Sequence, residues 1–471
     1  MAWYVLQEEE YKLYVFQREN QKKVRRRKVS MSATKLIALC FLGIILLGTG
    51  LLMLPVSSRS GEPCQFLPAL FTATSATCVT GLTPFDTWTQ WSGFGQGVLL
   101  CLIELGGLGF MSAATLVIFL FRRKVGLRQR MLIAQALSLN EMDGVVRLQR
   151  MVIFGSLGFE ATGALILTLW FWPQYGFVRA LRWGVFHSIS AFCNAGFDIF
   201  GSMEPGSSLL LFQNDPVVLL TLGALVVLGG LGFLVWQDIA EKRSWKKLSV
   251  YSRLVLLATA MLIVSGWALI CILEWNNPKT LGNLSVGSKL LGGLFQSITL
   301  RTAGFDAINQ AGLTQGGKAV SMVLMLIGGS SGSTAGGLKT VTFLVVLLFI
   351  WARARGRSNV SAFCRTIPQE QALNAMTISL MMVLLSVLGG IFVCATSPVS
   401  FTDGLFEAIS ALATVGLTAG ATGLLSVPAK ILIIIFMYFG RVGVLTISLG
   451  FLMGNQAVER FRYAETSLLI G

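Results

Sequence analysis

The amino-acid sequence predicts an all-α integral membrane protein built of four parallel pseudo-repeats about one central axis. Each repeat is a span, a short helix that does not cross, and a second span. Three observations carry this reading: the composition is strongly apolar, one short motif recurs four times at near-equal spacing, and basic residues crowd into alternate inter-span segments.

Of 471 residues, 54% are hydrophobic and 13% charged, against roughly 45–50% apolar and about 25% charged in a soluble domain. A soluble chain is excluded. Segments 36–55, 151–172, 216–236 and 431–450 each carry at most one charge over 19 or more residues, enough to cross a hydrocarbon core of about 30 Å as helix. The net charge of +15 does not mark a nucleic-acid binder, because 26 of the 37 Lys and Arg gather in segments 12–28, 122–150, 242–253, 353–365 and 460–462. The segments between hold few basic residues and several acids. Excess Lys and Arg on one side orients a membrane protein, so both termini are expected on the cytoplasmic side of the cell membrane. Residues 1–32 read as a basic cytoplasmic arm against the inner leaflet of the lipid bilayer, not as a cleaved leader. The eight cysteines lack metal-site or disulfide spacing and read as small buried hydrophobes.

The recurring motif opens on Phe, carries small and hydroxylic residues, and closes on glycine followed by Leu or Phe. Its copies are Phe71–Leu82, Phe186–Phe197, Phe295–Phe305 and Phe406–Leu417. The closing glycines, Gly81, Gly196, Gly304 and Gly416, lie 115, 108 and 112 residues apart. A long apolar segment stands on each side of every copy: 36–55 with 96–121, 151–172 with 216–236, 254–273 with 319–351, and 372–395 with 431–450. The chain therefore divides into the arm 1–32, repeats 33–123, 124–240, 241–353 and 354–455, and a tail 456–471. Two crossings per unit return the chain to its starting side, so all four units share one orientation.

The motif segments are too short to span. Non-helical backbone at membrane depth is tolerated only where protein or a water-filled cavity surrounds it, so four such stretches around one axis make a central pore. A cation filter needs carbonyls turned inward to replace a hydration shell, and glycine supplies the positive φ this requires. The candidate ion-binding residues are Val79, Thr80 and Gly81; Asn194, Ala195 and Gly196; Thr302, Ala303 and Gly304; and Thr414, Val415 and Gly416. Glycine for close helix packing explains one copy well and four in register poorly.

With CVTGL, CNAGF, RTAGF and ATVGL as reduced forms of the potassium-channel TVGYG filter, the chain from residue 33 onward resembles the Trk/Ktr/HKT superfamily of potassium transporters. It is most similar to the membrane subunit of bacterial Ktr systems. The resemblance implies potassium as the transported ion, since glycine fills all four filter positions. It further implies stimulation by sodium, a homodimer with one pore per subunit, and a cytosolic ring of nucleotide-binding regulatory subunits on the basic inner loops 122–150, 241–253 and 353–369. The apolar end of the tail is expected to be buried, at the dimer interface.

The second span of repeat three is interrupted by Gly328, Gly329, Ser330, Ser331, Gly332, Ser333, Thr334, Ala335, Gly336, Gly337, Leu338 and Lys339. Each glycine in a helix costs about 1 kcal/mol, so the helix is expected to break over 328–339. The glycine spacing imitates a phosphate-binding loop, but Leu338 interrupts the Gly-Lys step and spans flank it, which excludes nucleotide binding. The resemblance places a mobile gating loop here; a structural kink is the plainer alternative. Arg441, in the last span, is the second gate candidate. A mid-span charge costs about 2.5–3.5 kcal/mol and must face a polar interior. At about 6 Å from an ion path, with an effective dielectric near 20, it repels a cation by about 3 kcal/mol. Clamping of helix ends is the competing reading.

Other ionisable residues carry less. Glu160, Glu407 and His187 are expected to pair with amides or with Arg301, Arg301 to brace the third filter strand from behind, and Glu104 has no assigned role. Asp198 and Asp306, just after filter glycines, are read as concentrating potassium at the outer mouth, with loop capping as the alternative. One histidine and no Cys/His cluster or catalytically spaced carboxylate pair exclude an enzyme. The reading is potassium uptake through a gated filter; the alternative is an ungated or sodium-permeable cation channel.

Overall fold

A computed structural model of the chain describes residues 33–109, 145–357 and 359–443. The expected arm 1–32, most of the inner loop 122–150, the later parts of the segments 96–121 and 431–450, and the tail 456–471 lie outside the described residues. What is described is helical, apart from connecting turns and one two-stranded hairpin of β1 (Val360–Ala362) and β2 (Arg365–Ile367) at the end of repeat three.

Four long apolar helices open the four repeats: α1 (Ala33–Leu52), α5 (Val145–Tyr175), α9 (Val250–Glu274) and α13 (Gln369–Thr396). At about 1.5 Å per residue each reaches across a bilayer core. Their outward faces are apolar, with Leu46, Leu165, Val264 and Leu380 among the exposed residues. In water such faces would be costly; in lipid they are the expected surface, and with the composition they define a multi-pass membrane protein.

Each long helix is followed by a short one. These are α2 (Phe66–Cys78), α6 (Phe177–Phe192), α10 (Val286–Thr299) and α14 (Phe401–Leu412). They are the interior of the molecule: every residue of α2 from Phe71 to Cys78 is buried, as is every residue of α14 from Phe406 to Leu412.

After a loop containing the one-turn helix α3 (Thr87–Gln90) comes α4 (Gly93–Gly107), and the corresponding helices are α7 (Pro216–Leu231), α11 (Gln315–Leu326) and α15 (Val427–Val442). Each starts where a polar side chain caps a free backbone N–H: Ser92 accepts from Gly95, Asp215 from Val217 and Val218, Thr314 from Gly317, and Ser426 from Ala429.

These second helices do not run as far as their apolar sequence. Segment 216–236 was expected to be one span, yet α7 stops at Leu231, Gly232 adopts φ +89°, and α8 (Phe233–Lys242) departs at 91°. In repeat three α11 stops at Leu326 and α12 (Thr340–Ala354) resumes after thirteen non-helical residues. The fold closes on itself through these elements: α4 packs on α6, α7 on α10, α11 on α14, and α15 on α2. Every second helix thus leans on the short helix of the next repeat, and the last leans on the first.

Candidate functional site

The candidate ion-binding residues of the first strand follow α2 directly. The helix ends because Val79 turns left-handed, with φ +57°, and the same turn occurs at Asn194 (+60°), Thr302 (+68°) and Thr414 (+53°). Sequence reasoning assigned positive φ to the glycines alone. They have it too, from +67° at Gly196 to +103° at Gly81, so each strand reverses twice within three residues. The first turn is held from behind. Thr80 N–H donates to Ser75 O at 2.8 Å, Ala195 to Ser190 O at 2.7 Å, Ala303 to Thr299 O at 2.9 Å and Val415 to Ser410 O at 2.7 Å. Those acceptors are backbone carbonyls, and the side-chain hydroxyls of the same four residues brace the far end of the strands: Ser75 and Ser410 accept from Gly81 and Gly416 N–H, and Ser190 and Thr299 donate to Phe197 and Phe305 O. With these amides turned toward the helices, the intervening carbonyls face the other way.

The strands meet. A Cβ added to Gly81 would come within 2.7 Å of Ala195 O, one on Gly196 within 2.8 Å of Ala303 O, and one on Gly304 within 2.6 Å of Val415 O; one on Gly416 would strike Thr80 O. Each glycine therefore adjoins the carbonyl of the following strand, in a closed circuit of four. The filter candidates are thereby brought together, and Val79, Thr80, Asn194, Ala195, Thr302, Ala303, Thr414 and Val415 are all buried.

Beneath the circuit lies segment 328–339. Its ends are pinned by Gly328 N–H to Leu338 O at 2.9 Å and Thr340 N–H to Gly329 O at 3.0 Å. One flank is bonded to the α7–α8 break: Ser330 N–H to Gly230 O at 3.0 Å, Thr334 N–H to Gly229 O at 3.3 Å and Phe233 N–H to Gly332 O at 2.8 Å. Tyr251 donates to Ser331 O at 3.1 Å. The other flank touches the feet of strands three and four, since any Cβ on Gly336 would run into the Thr414 side chain and one on Gly328 would reach Thr302. Lys339 folds back onto Ala335 O at 2.8 Å. Arg441 donates to Thr334 O, to Gly106 O and, at 2.9 Å, to Gly107 O. It bridges the loop to the end of α4.

Of the remaining ionisable residues, several stand elsewhere than expected. Among the described residues, Glu160 pairs with neither an amide nor Arg301. Its carboxyl sits with Glu104 and the Cys193 thiol, one ligand atom of each lying within 4.8 Å of the others, which gives Glu104 a place. Arg301 donates to Gly328 O and Thr340 Oγ1, both at 3.3 Å, and so braces the loop's two ends. Glu407 accepts from Thr418 and Thr422, and His187 Nε2 accepts from Ile199 N–H while Nδ1 meets Trp183 O. Asp198 accepts from Phe200 N–H, and burial, followed by the nearby Asp86 carboxylate, pushes its carboxyl up to about 6. Asp306 lies close enough for its carboxyl to feel that of Asp198.

The long helices and their apolar outer faces define the class of multi-pass membrane proteins. Family comparison makes the class specific. Residues 13–459 match the family model described as TrkH, cation transport protein, and the chain belongs to that family. It is 39% identical to the potassium/sodium uptake protein NtpJ of Enterococcus hirae, over 96% of this chain and 99% of that one. It is 38% identical to the Ktr system potassium uptake protein B of Bacillus subtilis, over 94% and 98%. The fold resembles the crystal structure of the potassium transporter TrkH from Vibrio parahaemolyticus, with a TM-score of 0.69 at 17% identity over 90% of this chain and 86% of that one.

Proposed function

We propose that this protein takes up potassium ions across the cell membrane through the four-stranded circuit, which acts as the selectivity filter of one central pore, with segment 328–339 and Arg441 as its gate. The observation that carries the proposal is the closed sequence of contacts from Gly81 to Ala195 O, Gly196 to Ala303 O, Gly304 to Val415 O and Gly416 to Thr80 O. Backbone oxygens so placed can stand in for the water around a dehydrated cation. Repeats 33–123, 124–240, 241–353 and 354–455 each contribute one quadrant.

The names of the relatives support potassium as the cargo, and the Ktr system name supports a regulatory partner. In this reading a homodimer docks cytosolic nucleotide-binding subunits on its basic inner face, sodium stimulates transport, and Asp198 and Asp306 draw cations to the outer mouth. Sodium permeation is the second reading, favoured by the potassium/sodium name of the Enterococcus relative. The test is potassium uptake in a transport-deficient cell expressing the chain with a Ktr regulatory subunit, comparing the parent with Gly81→Ser. Restored growth at low potassium and a lowered preference for rubidium over sodium in the variant are expected. A parent that carries neither ion, or an unaltered preference in the variant, sinks the proposal.

A further inference from the structure

Four residues occupy the left-handed turn at the foot of the strands, and they are not alike. Val79 has no polar side-chain atom, and the buried hydroxyls of Thr302 and Thr414 have no partner among the described residues. Asn194 alone among these four is bonded to the loop beneath: its Nδ2 donates to Thr334 Oγ1 at 2.8 Å. Both side chains are buried, Asn194 to 1% and Thr334 to 0% exposure. Among the described residues the Asn194 Oδ1 has no partner, and Thr334 is the hydrogen-bond partner of this side chain.

Thr334 spends every polar group it has at this point. Its hydroxyl accepts from Asn194 and donates to Phe192 O at 3.1 Å, the carbonyl at the end of α6. Its N–H holds Gly229 O and its own carbonyl receives Arg441. Gly229 makes the junction possible, because a Cβ there would strike Phe192 O and come within 2.8 Å of Thr334 Oγ1. One threonine therefore joins the second strand, its supporting helix, the α7 break and the arginine.

We infer that Thr334 couples ion discrimination to gating, with Asn194 as the positioning residue on the strand side. The inference rests on the function proposed above and goes beyond it: the loop not only obstructs the path but holds strand two in its ion-binding shape. When the loop withdraws, the Asn194 amide is left buried and unpaired, which is unfavourable, and its left-handed backbone loses the side-chain bond that holds it. Strand two then relaxes, and potassium is preferred less. Because linkage is reciprocal, potassium in the circuit in turn favours the docked loop.

The test uses the full chain purified in detergent, reading rubidium and sodium binding by isothermal titration with the loop docked, beside rubidium flux in lipid vesicles. Thr334→Val keeps the shape and removes the hydroxyl; Thr334→Ser keeps the hydroxyl. The ratio of rubidium to sodium affinity is expected to fall about tenfold in the valine variant, a change of about 1.4 kcal/mol, and to stay near the parent's in the serine variant. Asn194→Gly, which accepts the same backbone, is expected to lower the ratio similarly, and the double variant to fall no further than either single one. A parent ratio in flux-competent Thr334→Val, or in Asn194→Gly should the valine variant not fold, overturns the coupling, as do independent effects that multiply. Absence of flux in the parent would instead overturn the function proposed above, while a parent that responds to Gly81→Ser beside an unresponsive Thr334→Val removes only the coupling.

Discussion

Arg441 stands where the other second helices have glycine: Gly106-Gly107, Gly229-Gly230 and Gly328-Gly329 correspond in register to Gly440-Arg441. Its guanidinium holds three carbonyls from two repeats. Glutamine at this position can neither repel a cation nor reach all three, so Arg441→Gln is expected to raise rubidium uptake, by up to about 100-fold if the full ~3 kcal/mol barrier is lost. An initial-rate uptake assay checks this, and an unchanged rate in folded protein would leave the arginine a clamp only. The residue was legible because a charge in an apolar run must have a polar reason. The left-handed turns at Val79, Thr302 and Thr414 were not, because a β-branched side chain disfavours that region and what imposes it is the bond from the next amide to Ser75, Thr299 or Ser410. Because the acceptor is a backbone carbonyl, no side chain announces the turn.

At the level of elements, a helix end beside glycine is common to the described second helices and not peculiar to repeat three. α4 ends at Gly107, α7 at Leu231, α11 at Leu326 and α15 at Val442, and Gly109, Gly232 and Gly443 all take positive φ just beyond. Composition predicted the break at 328–339, where glycine and serine replace apolar residues. It hid the others, because LGGLGF remains hydrophobic, and hydropathy reports burial or lipid contact rather than continuity of backbone hydrogen bonds. Gly232 both permits the 91° bend and leaves room for Ser330 and Ser331. Gly232→Ala is therefore expected to destabilise by about 1–3 kcal/mol, the usual cost of such a backbone in a residue with a Cβ, and to loosen the loop, seen as a lower melting temperature with faster uptake. Removal of residues 330–337 tests the gate directly. Flux faster than the parent's is expected, and equal flux in correctly inserted protein would make the segment a kink and nothing more.

For the whole molecule, the order of packing, α4 on α6, α7 on α10, α11 on α14 and α15 on α2, is what turns a linear repeat into a closed body. The period was readable from four Phe-to-Gly segments; which helix leans on which was not, because small residues at helix contacts carry no address. One polar contact pins the third contact of that circuit, the ion pair between Lys318 on α11 and Asp403 on α14 at 2.6 Å. The lysine side chain is 9% exposed and the aspartate 28%, so solvent screens the pair only in part. Lys318→Met is expected to cost about 1–3 kcal/mol, as for hydrogen bonds to charged groups, visible as a lower thermal midpoint in detergent, whereas an unshifted midpoint would mean that apolar contacts alone hold that seam. The circuit of glycine against carbonyl has a further consequence. Each quadrant is written by its own codons, so no symmetry operator copies a substitution around the eyelet. With the circuit acting as the proposed filter, a lineage of such chains can retune its ionic preference one side at a time, a freedom closed to any assembly of four identical subunits.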